Sequence, residues 1–302
     1  MAADRPFLGV LLVIGFCVFA PMGDAIAKFI GGRVPLFEVL FVRFAVQVVI
    51  LLAIMGAWRR RFSMSRGYWG LSALRAVLHL VGVGAFFWSL RYLPLADSVA
   101  IVFVMPFLLI VLSRVLFGEV AGPRRYAACV VGFAGTLLIV QPSFGAVGSA
   151  ALWPFVVALA FTGFVLVTRA MAKAVDPIEL QAASGIVAVV LLAPLLILSL
   201  GSTGPAVGFV VPDVLDGMLM AAIGVIGTLA HLFMTWSLKH ASAATLAPVH
   251  YLEIPFAALI GWLVFGDFPN GLALGGIALS IAAGLYIVYR ERPRPVELPP
   301  DV

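Results

Sequence analysis

The sequence predicts an all-α integral membrane protein of ten transmembrane helices, arranged as two inverted repeats of five helices. Three observations predict this fold: an apolar composition, apolar runs of membrane-spanning length, and short motifs that occur twice. Of the 302 residues, 63% are hydrophobic and 11% are charged, and the mean hydropathy is +1.16. Soluble domains carry roughly 25% charged residues, so lipid must provide part of the solvent of this chain.

Apolar runs long enough to cross a bilayer recur along the whole chain. A helix rises about 1.5 Å per residue and therefore needs about 20 apolar residues to span the hydrocarbon core. The predicted spans are Phe7–Ala27, Pro35–Ala57, Gly70–Leu90, Leu95–Phe117, Arg124–Gln141, Ser149–Met171, Ile178–Leu200, Val214–Ser237, Ser242–Phe265 and Asn270–Tyr289. The connections leave no room for a soluble catalytic domain, and the Pro-rich segment 291–302 is expected to be a disordered cytoplasmic tail.

The loop cations predict the orientation. One set of alternate loops, together with the termini, carries thirteen lysines and arginines, and the opposite set carries three. Because cytoplasmic loops are enriched in these residues, both termini are expected in the cytoplasm of a cell whose plasma (inner) membrane holds the protein. The net charge of +5 does not indicate nucleic-acid binding, since the basic residues lie at the ends of apolar runs.

Three short motifs occur twice, in the same order. Ala25–Lys28 resembles Ala170–Lys173, Trp88-Ser89-Leu90-Arg91 resembles Trp236-Ser237-Leu238-Lys239, and Phe117-Gly118-Glu119 resembles Phe265-Gly266-Asp267. The repetition predicts a first unit over residues 1–142 and a second over 149–290. Since each unit holds an odd number of spans, the second enters the membrane from the opposite side. Inverted repeats of this kind supply the two conformations that alternating access requires.

This arrangement, with Arg43-Phe44 early in the second span, resembles the drug/metabolite transporter superfamily and, within it, the EamA family. The resemblance covers about residues 7–290. It implies a secondary transporter that exports amino acids or related metabolites, with a cavity lined largely by spans three, four, eight and nine. Aromatic or neutral amino acids are the first substrate candidates. Another small metabolite, such as a nucleoside, a sugar or a vitamin, is the alternative.

Polar and aromatic side chains near mid-span are the candidates for substrate binding. A charged group inside hydrocarbon costs at least about 2.5 kcal/mol, so it faces a cavity or a partner. The predicted substrate-binding residues are His79, Phe86, Met105, His231, Tyr251 and Glu253. A satisfied structural histidine is the alternative for His79 and His231, and a structural ion pair is the alternative for Glu253.

A second group of residues is assigned structural or gating roles: Asp24, Arg43, Arg75, Asp97, Pro106, Pro248 and Pro255. Prolines at matching depth in spans four and nine interrupt backbone hydrogen bonds, so they are expected to line a cavity or to act as hinges. Arg43 is expected to form an intramembrane salt bridge. The two aspartates are expected to gate by pairing with Lys28 or Arg91.

The expected partners are a small-molecule substrate and the lipid bilayer, with a proton or another ion as the candidate for coupling. The protein is expected to be a monomer or a weak homodimer. Cys17 and Cys129 each lie in an apolar run and indicate helix packing rather than a disulfide or zinc site. Neither a metal nor another cofactor is expected, and no catalytic motif appears in context. An intramembrane hydrolase and a non-transporting membrane subunit are the competing classes.

Overall fold

The structure is a computed structural model that describes residues 5–89, 92, 98, 101–140, 152–202, 204–206, 208–266 and 270–290. Ten helices follow one another along these residues and confirm the predicted fold class. They are α1 Pro6–Ile30, α2 Leu36–Ala57, α3 Arg66–Ser89, α4 Met105–Phe117, α5 Pro123–Val140, α6 Leu152–Met171, α7 Pro177–Ser199, α8 Val214–His240, α9 Ala243–Phe265 and α10 Gly271–Arg290.

Eight of these helices are long and apolar enough to cross a membrane by length and composition; α4 and α5 are the remaining two. The observed ends lie within about a turn of the predicted ones. The main exception is the fourth span, because most of its predicted first part, residues 95–104, lies outside the described residues or in a turn. The predicted tail 291–302 also lies outside them.

The repeated Phe-Gly-acid motif marks the end of a helix. Gly118 follows α4 and Gly266 follows α9, with φ angles of 65° and 76°. Glycine adopts this left-handed conformation at little cost and so ends the helix in both halves.

Helix α9 is interrupted in its middle. It begins as one α-helical turn, continues as a 3-10 helix over Ala247–Leu252, and returns to α-helix at Glu253–Phe265. Pro248 lies in the 3-10 segment and Pro255 in the first turn of the α-helix that follows. A proline has no backbone N–H to donate, which favours such positions over the interior of a regular helix.

The bundle is assembled from helix pairs that join the two halves. Helix α1 packs against α8, α3 against α6, α2 against α7 and α5 against α10. The α1–α8 approach is close because Gly9 lacks a side chain: a Cβ atom there would lie 2.5 Å from Cβ of Ala241. If the repeated motifs are superimposed, α1 corresponds to α6 and α3 to α8, so the pairs α1–α8 and α3–α6 are equivalent.

Two glutamates near the starts of α2 and α7 fix loops that belong to the opposite half. Glu38 accepts a hydrogen bond of 3.1 Å from the backbone N–H of Val210. Glu179 accepts one of 2.8 Å from Met64 N–H, one of 2.9 Å from the Ser63 hydroxyl, and a further bond from Ser63 N–H. Each carboxylate therefore satisfies backbone donors that would otherwise be costly to bury.

Candidate functional site

A cavity lies between α1, α3, α4, α6, α8 and α9, with Arg43 of α2 reaching its wall. It holds about 1270 Å³ of empty space, its open mouth included. Its lining comes from the C-terminal parts of α1, α3 and α9 and from the N-terminal half of α6. The cavity therefore occupies one half of the bundle, which we term the cavity end. The loop cations predict that this end faces the cell exterior.

The wall of the cavity is mostly apolar and rich in aromatic rings. Seven phenylalanines line it: Phe16, Phe19, Phe86, Phe87, Phe103, Phe161 and Phe265. Met105 and Met234 add polarizable thioethers. Aromatic faces and thioether sulfurs pack well against a flat ring system, so this wall suits the apolar body of a planar substrate.

Four titratable side chains interrupt this apolar wall: Asp24 of α1, Arg43 of α2, His231 of α8 and Glu253 of α9. Two carboxylates and one guanidinium thus border the same space, and the charges of Asp24 and Arg43 attract each other. Within the described residues, the nearby Lys28 forms no salt bridge with Asp24. Its Nζ instead lies 4.4 Å from the centre of the Phe265 ring. The arrangement provides both acceptors and donors to a bound molecule.

A histidine pair supports the cavity wall away from its mouth. His231 Nε2 and His79 Nε2 are 2.9 Å apart, which is hydrogen-bonding distance. The His79 ring is buried behind His231, between Phe44 and Phe164, at centroid distances of 5.1 Å and 4.6 Å. One imidazole of such a pair donates and the other accepts, so the pair fixes the side chain that faces the cavity.

One turn before His79, Arg75 forms the centre of a buried polar network. Its guanidinium donates to Thr168 Oγ1, Ser184 Oγ, Gln181 Oε1 and Thr235 Oγ1 over 2.7–3.2 Å. It also lies 4.4 Å from the centre of the Phe164 ring. Five donors make an arginine able to bind several neutral oxygens at once, and here they join α3 to α6, α7 and α8.

The end of the bundle opposite the cavity is closed by a second set of polar contacts. Arg169 Nε donates to Glu119 Oε1 over 2.9 Å, and its Nη1 donates to the carbonyl of Leu238 over 2.7 Å. Glu119 also accepts from the backbone N–H of Ala244 over 3.3 Å. These bonds connect the ends of α4, α6 and α8 to the beginning of α9.

The structure brings together four of the six residues predicted to bind substrate. Phe86, Met105, His231 and Glu253 line the cavity. His79 is separated from it by His231, and Tyr251 is buried against Gly132 with its hydroxyl donating to the carbonyl of Phe103 over 3.2 Å. Whether any of the six contacts substrate stays a prediction.

The predicted structural and gating roles stay predictions, and the structure shows where most of these residues lie. Asp24 and Arg43 line the cavity, and Arg43 has no carboxylate within salt-bridge distance among the described residues. Arg75 binds neutral oxygens, while Pro106, Pro248 and Pro255 do not reach the cavity wall. Asp97 and Arg91 lie outside the described residues. The signal for Asp24 and Arg43 was present in the sequence, since each is a charge within an apolar run.

Within the same described part of the chain, no group of three or more histidine, cysteine or acidic residues is arranged to hold a metal ion.

The sequence model of the EamA-like transporter family matches residues 7–141 and 148–290. A riboflavin transporter of Rhizobium johnstonii is 34% identical over 73% of this chain and 70% of its own. An S-adenosylmethionine uptake transporter of Rickettsia bellii is 24% identical over 91% of each chain. A pseudopaline exporter of Pseudomonas aeruginosa is 27% identical over 94% of this chain and 96% of its own.

A solved crystal structure superimposes on this fold with a TM-score of 0.75 at 20% identity, covering 93% of this chain and 98% of the other. At that identity the likeness shows the shared fold alone.

Proposed function

We propose that the substrate of this chain is a planar heteroaromatic metabolite of the riboflavin type. The chain belongs to the EamA-like transporter family and is a multi-pass membrane transporter of small molecules, which is the premise of this proposal. The aromatic lining of the cavity is the observation that carries this proposal. A flavin combines a flat, largely apolar ring system with a hydroxylated chain and a polar edge. Phenylalanine rings can stack on the ring system while the charged groups of the wall bind the polar parts.

The riboflavin transporters of Rhizobium johnstonii and Brucella anthropi, at 34% and 27% identity, add support for this substrate class. Relatives with other named substrates are 22–27% identical. The names of the relatives include both uptake and export, so they do not favour a direction. Alternating access between two inverted halves is compatible with either direction.

An aromatic or neutral amino acid is the second candidate, with export as the expected direction. The observation that favours it is the presence of opposite charges on one wall. Asp24 and Glu253 can accept hydrogen bonds from an ammonium group, and Arg43 can donate to a carboxylate. The same two carboxylates are the candidates for binding a coupling proton.

Transport into proteoliposomes tests the proposal. Liposomes that contain the purified protein, and empty ones, are offered labelled riboflavin, phenylalanine or tryptophan, with and without a pH gradient. We expect riboflavin to enter faster than in empty liposomes. If only an amino acid crosses, the second candidate replaces the first. If nothing crosses but a lipid or peptide is cleaved, the protein is an intramembrane enzyme.

Two matched variants on α6 test whether the transport rate depends on the lining of the cavity. Phe161 lines the cavity, whereas Phe155 is exposed on the outer surface of the same helix. We expect Phe161→Ala to weaken riboflavin transport by about fivefold or more, since stacking on a ring contributes about 1 kcal/mol or more. Phe155→Ala should leave transport unchanged. Equal rates in the two variants would contradict the assignment of this cavity.

A further inference from the structure

We propose that Arg43 is the residue that recognises the substrate, by binding a pair of adjacent acceptors such as the two oxygens of a carboxylate, or a ring carbonyl oxygen and the unprotonated ring nitrogen beside it. The inference rests on the proposed function of the cavity as a substrate site. It assigns to Arg43 a specificity role in place of the salt bridge that the sequence predicts.

The first observation is an unsatisfied donor. The side chain of Arg43 is only 7% exposed, and its Nη1 has no hydrogen-bond partner among the described residues. An unbonded N–H on a buried cation is costly, and buried polar atoms in proteins are nearly always bonded. Because Arg43 also lines the cavity, a rotation of its side chain toward that space would bring Nη1 to an acceptor on a bound molecule.

The second observation is a contrast with the other buried arginine near the cavity. Arg75 makes four hydrogen bonds to side-chain oxygens, so its guanidinium is already bound within the protein. Arg75 is fully buried and Arg43 is 7% exposed, so burial alone does not leave an arginine unsatisfied here. The difference is that Arg43 faces the cavity and Arg75 faces packed helices.

The third observation is the space that Gly227 provides. A Cβ atom at position 227 would lie 2.9 Å from Nε and 3.2 Å from Nη2 of Arg43. The centre of the guanidinium lies 5.0 Å from the centre of the Phe44 ring. The guanidinium is thus held against the bare backbone of α8, and any side chain at position 227 would displace it.

The chemistry of the site defines the ligand class. A guanidinium binds two acceptors in its plane, which matches a carboxylate or a ring carbonyl oxygen with an unprotonated ring nitrogen beside it. The groups that border the same cavity are Asp24, Glu253 and His231. The two carboxylates provide acceptors for N–H groups of the ligand, so a substrate with both acceptors and N–H donors fits and a pure cation does not.

The first test is independent of the substrate. Cys17 and Cys129 are first replaced by alanine, and Arg43→Cys is introduced into this background. The purified, full-length variant is then treated with the thiol reagent ethylammonium methanethiosulfonate. We expect modification within minutes, because the side chain faces the cavity. Cysteine at Ala76, a buried position on α3 that does not line the cavity, is the control that stays unmodified. An unreactive Arg43→Cys protein that melts like its background overturns the proposal.

The second test compares ligands that differ in their acceptors. Binding to the purified protein is measured for lumichrome against phenazine, and for phenylalanine against phenethylamine. In each pair the first compound carries two adjacent acceptors, at least one of them an oxygen, and the second carries no such oxygen. We expect the wild-type protein to prefer the first member of one pair by about tenfold or more, as a charged hydrogen bond contributes about 1.5 kcal/mol or more. A preference in the flavin-like pair or in the amino-acid pair identifies the source of the oxygens.

Three variants complete the design. Arg43→Gln and Gly227→Ala should both reduce that preference to threefold or less, the second while retaining the cation. Gly217→Ala is the matched control: Gly217 lies on the same helix as Gly227 but does not line the cavity, and a Cβ there has open space. An absent wild-type preference in both pairs, or a preference that persists in Arg43→Gln, overturns the role of Arg43. Failure of riboflavin transport with a retained amino-acid preference overturns only the flavin proposal.

Discussion

His79 and His231 are joined through their Nε2 atoms, 2.9 Å apart, and only His231 reaches the cavity. The pair connects α3 to α8, two helices that the repeated motifs identify as equivalent. It places a neutral hydrogen bond at the inner side of the cavity wall, between the apolar lining and the Arg75 network.

Replacing His79 by alanine is therefore expected to affect stability and transport together. The variant removes a buried hydrogen bond and leaves a void between Phe44 and Phe164, which together cost about 2–3 kcal/mol. Thermal melting in detergent is measured beside transport. Leu74→Ala, at an exposed position of the same helix, should melt close to the wild type. Loss of transport at an unchanged melting temperature would show that His79 acts on the substrate.

Glu253 should behave in the opposite way. Its carboxylate lines the cavity and makes no hydrogen bond within the described part of the chain, so Glu253→Gln removes a charge without breaking a contact. We expect transport to fall by about tenfold, as for a lost charged hydrogen bond, with the melting temperature nearly unchanged. Glu253→Asp, which keeps the charge, should retain more activity. A parallel fall in stability would assign the glutamate a structural role instead.

Arg75 is expected to be required for folding. Arg75→Gln would break most of the bonds that join α3 to α6, α7 and α8 and leave their oxygens buried without donors, at a cost of about 3 kcal/mol or more. Arg75→Lys should rescue little, because an ammonium cannot donate in a planar fork. Folded yield and melting temperature are the measurements. Arg66→Gln, exposed at the start of α3, is the control, and equal stability of both variants would refute the prediction.

The Glu119–Arg169 contact should hold the end opposite the cavity closed. Glu119→Ala removes both the ion pair and the acceptor for Ala244 N–H, whereas Glu119→Gln keeps an oxygen for that N–H. A cysteine at Leu246, buried in α9, reports on opening through its rate of maleimide labelling. We expect labelling to increase about tenfold in Glu119→Ala and less in Glu119→Gln. No increase in either variant would show that other contacts close this end.

The orientation can be checked with two exposed positions. Val211, in the loop between α7 and α8, is 80% exposed, and a Cβ at Gly67, at the start of α3, would meet only Ser65 Oγ, at an ordinary 4.0 Å. In intact cells an impermeant maleimide should label a cysteine at position 211 and not one at 67, since the loop cations place position 67 inside. Ser63 is a poorer choice because its hydroxyl binds Glu179. The reverse pattern would place both termini outside.

The number, order and approximate ends of the helices could be predicted from the sequence, because the bilayer requires long apolar runs and the loop residues interrupt them. Which side of each helix faces the cavity could not. The spans are apolar all round, so periodicity did not distinguish His79, which lies behind the wall, from Phe86, which lines it. The repeated motifs did indicate equivalent helices, and α1–α8 and α3–α6 pack as equivalent pairs.

The polar contacts between the two halves could not be predicted from the sequence. Glu38 and Glu179 each bind a loop more than 100 residues away along the chain. Gln47 donates to the carbonyl of Gln181 over 2.9 Å, again across the two halves. Such partners depend on how the halves pack, and a single sequence does not contain that information.

The repeated Ala-X-Ala-Lys motif places Asp24 and Arg169 at corresponding positions, each one residue before the motif. Arg169 binds Glu119 and the carbonyl of Leu238 at the closed end, and Asp24 borders the cavity at the other. The duplication thus preserved the helices but reversed the charge at one equivalent point. A carboxylate cannot donate to either acceptor, so the two ends cannot be sealed by the same bonds. The proposal of alternating access therefore implies two conformations of unequal free energy, because this single pair of residues already makes their closing contacts different.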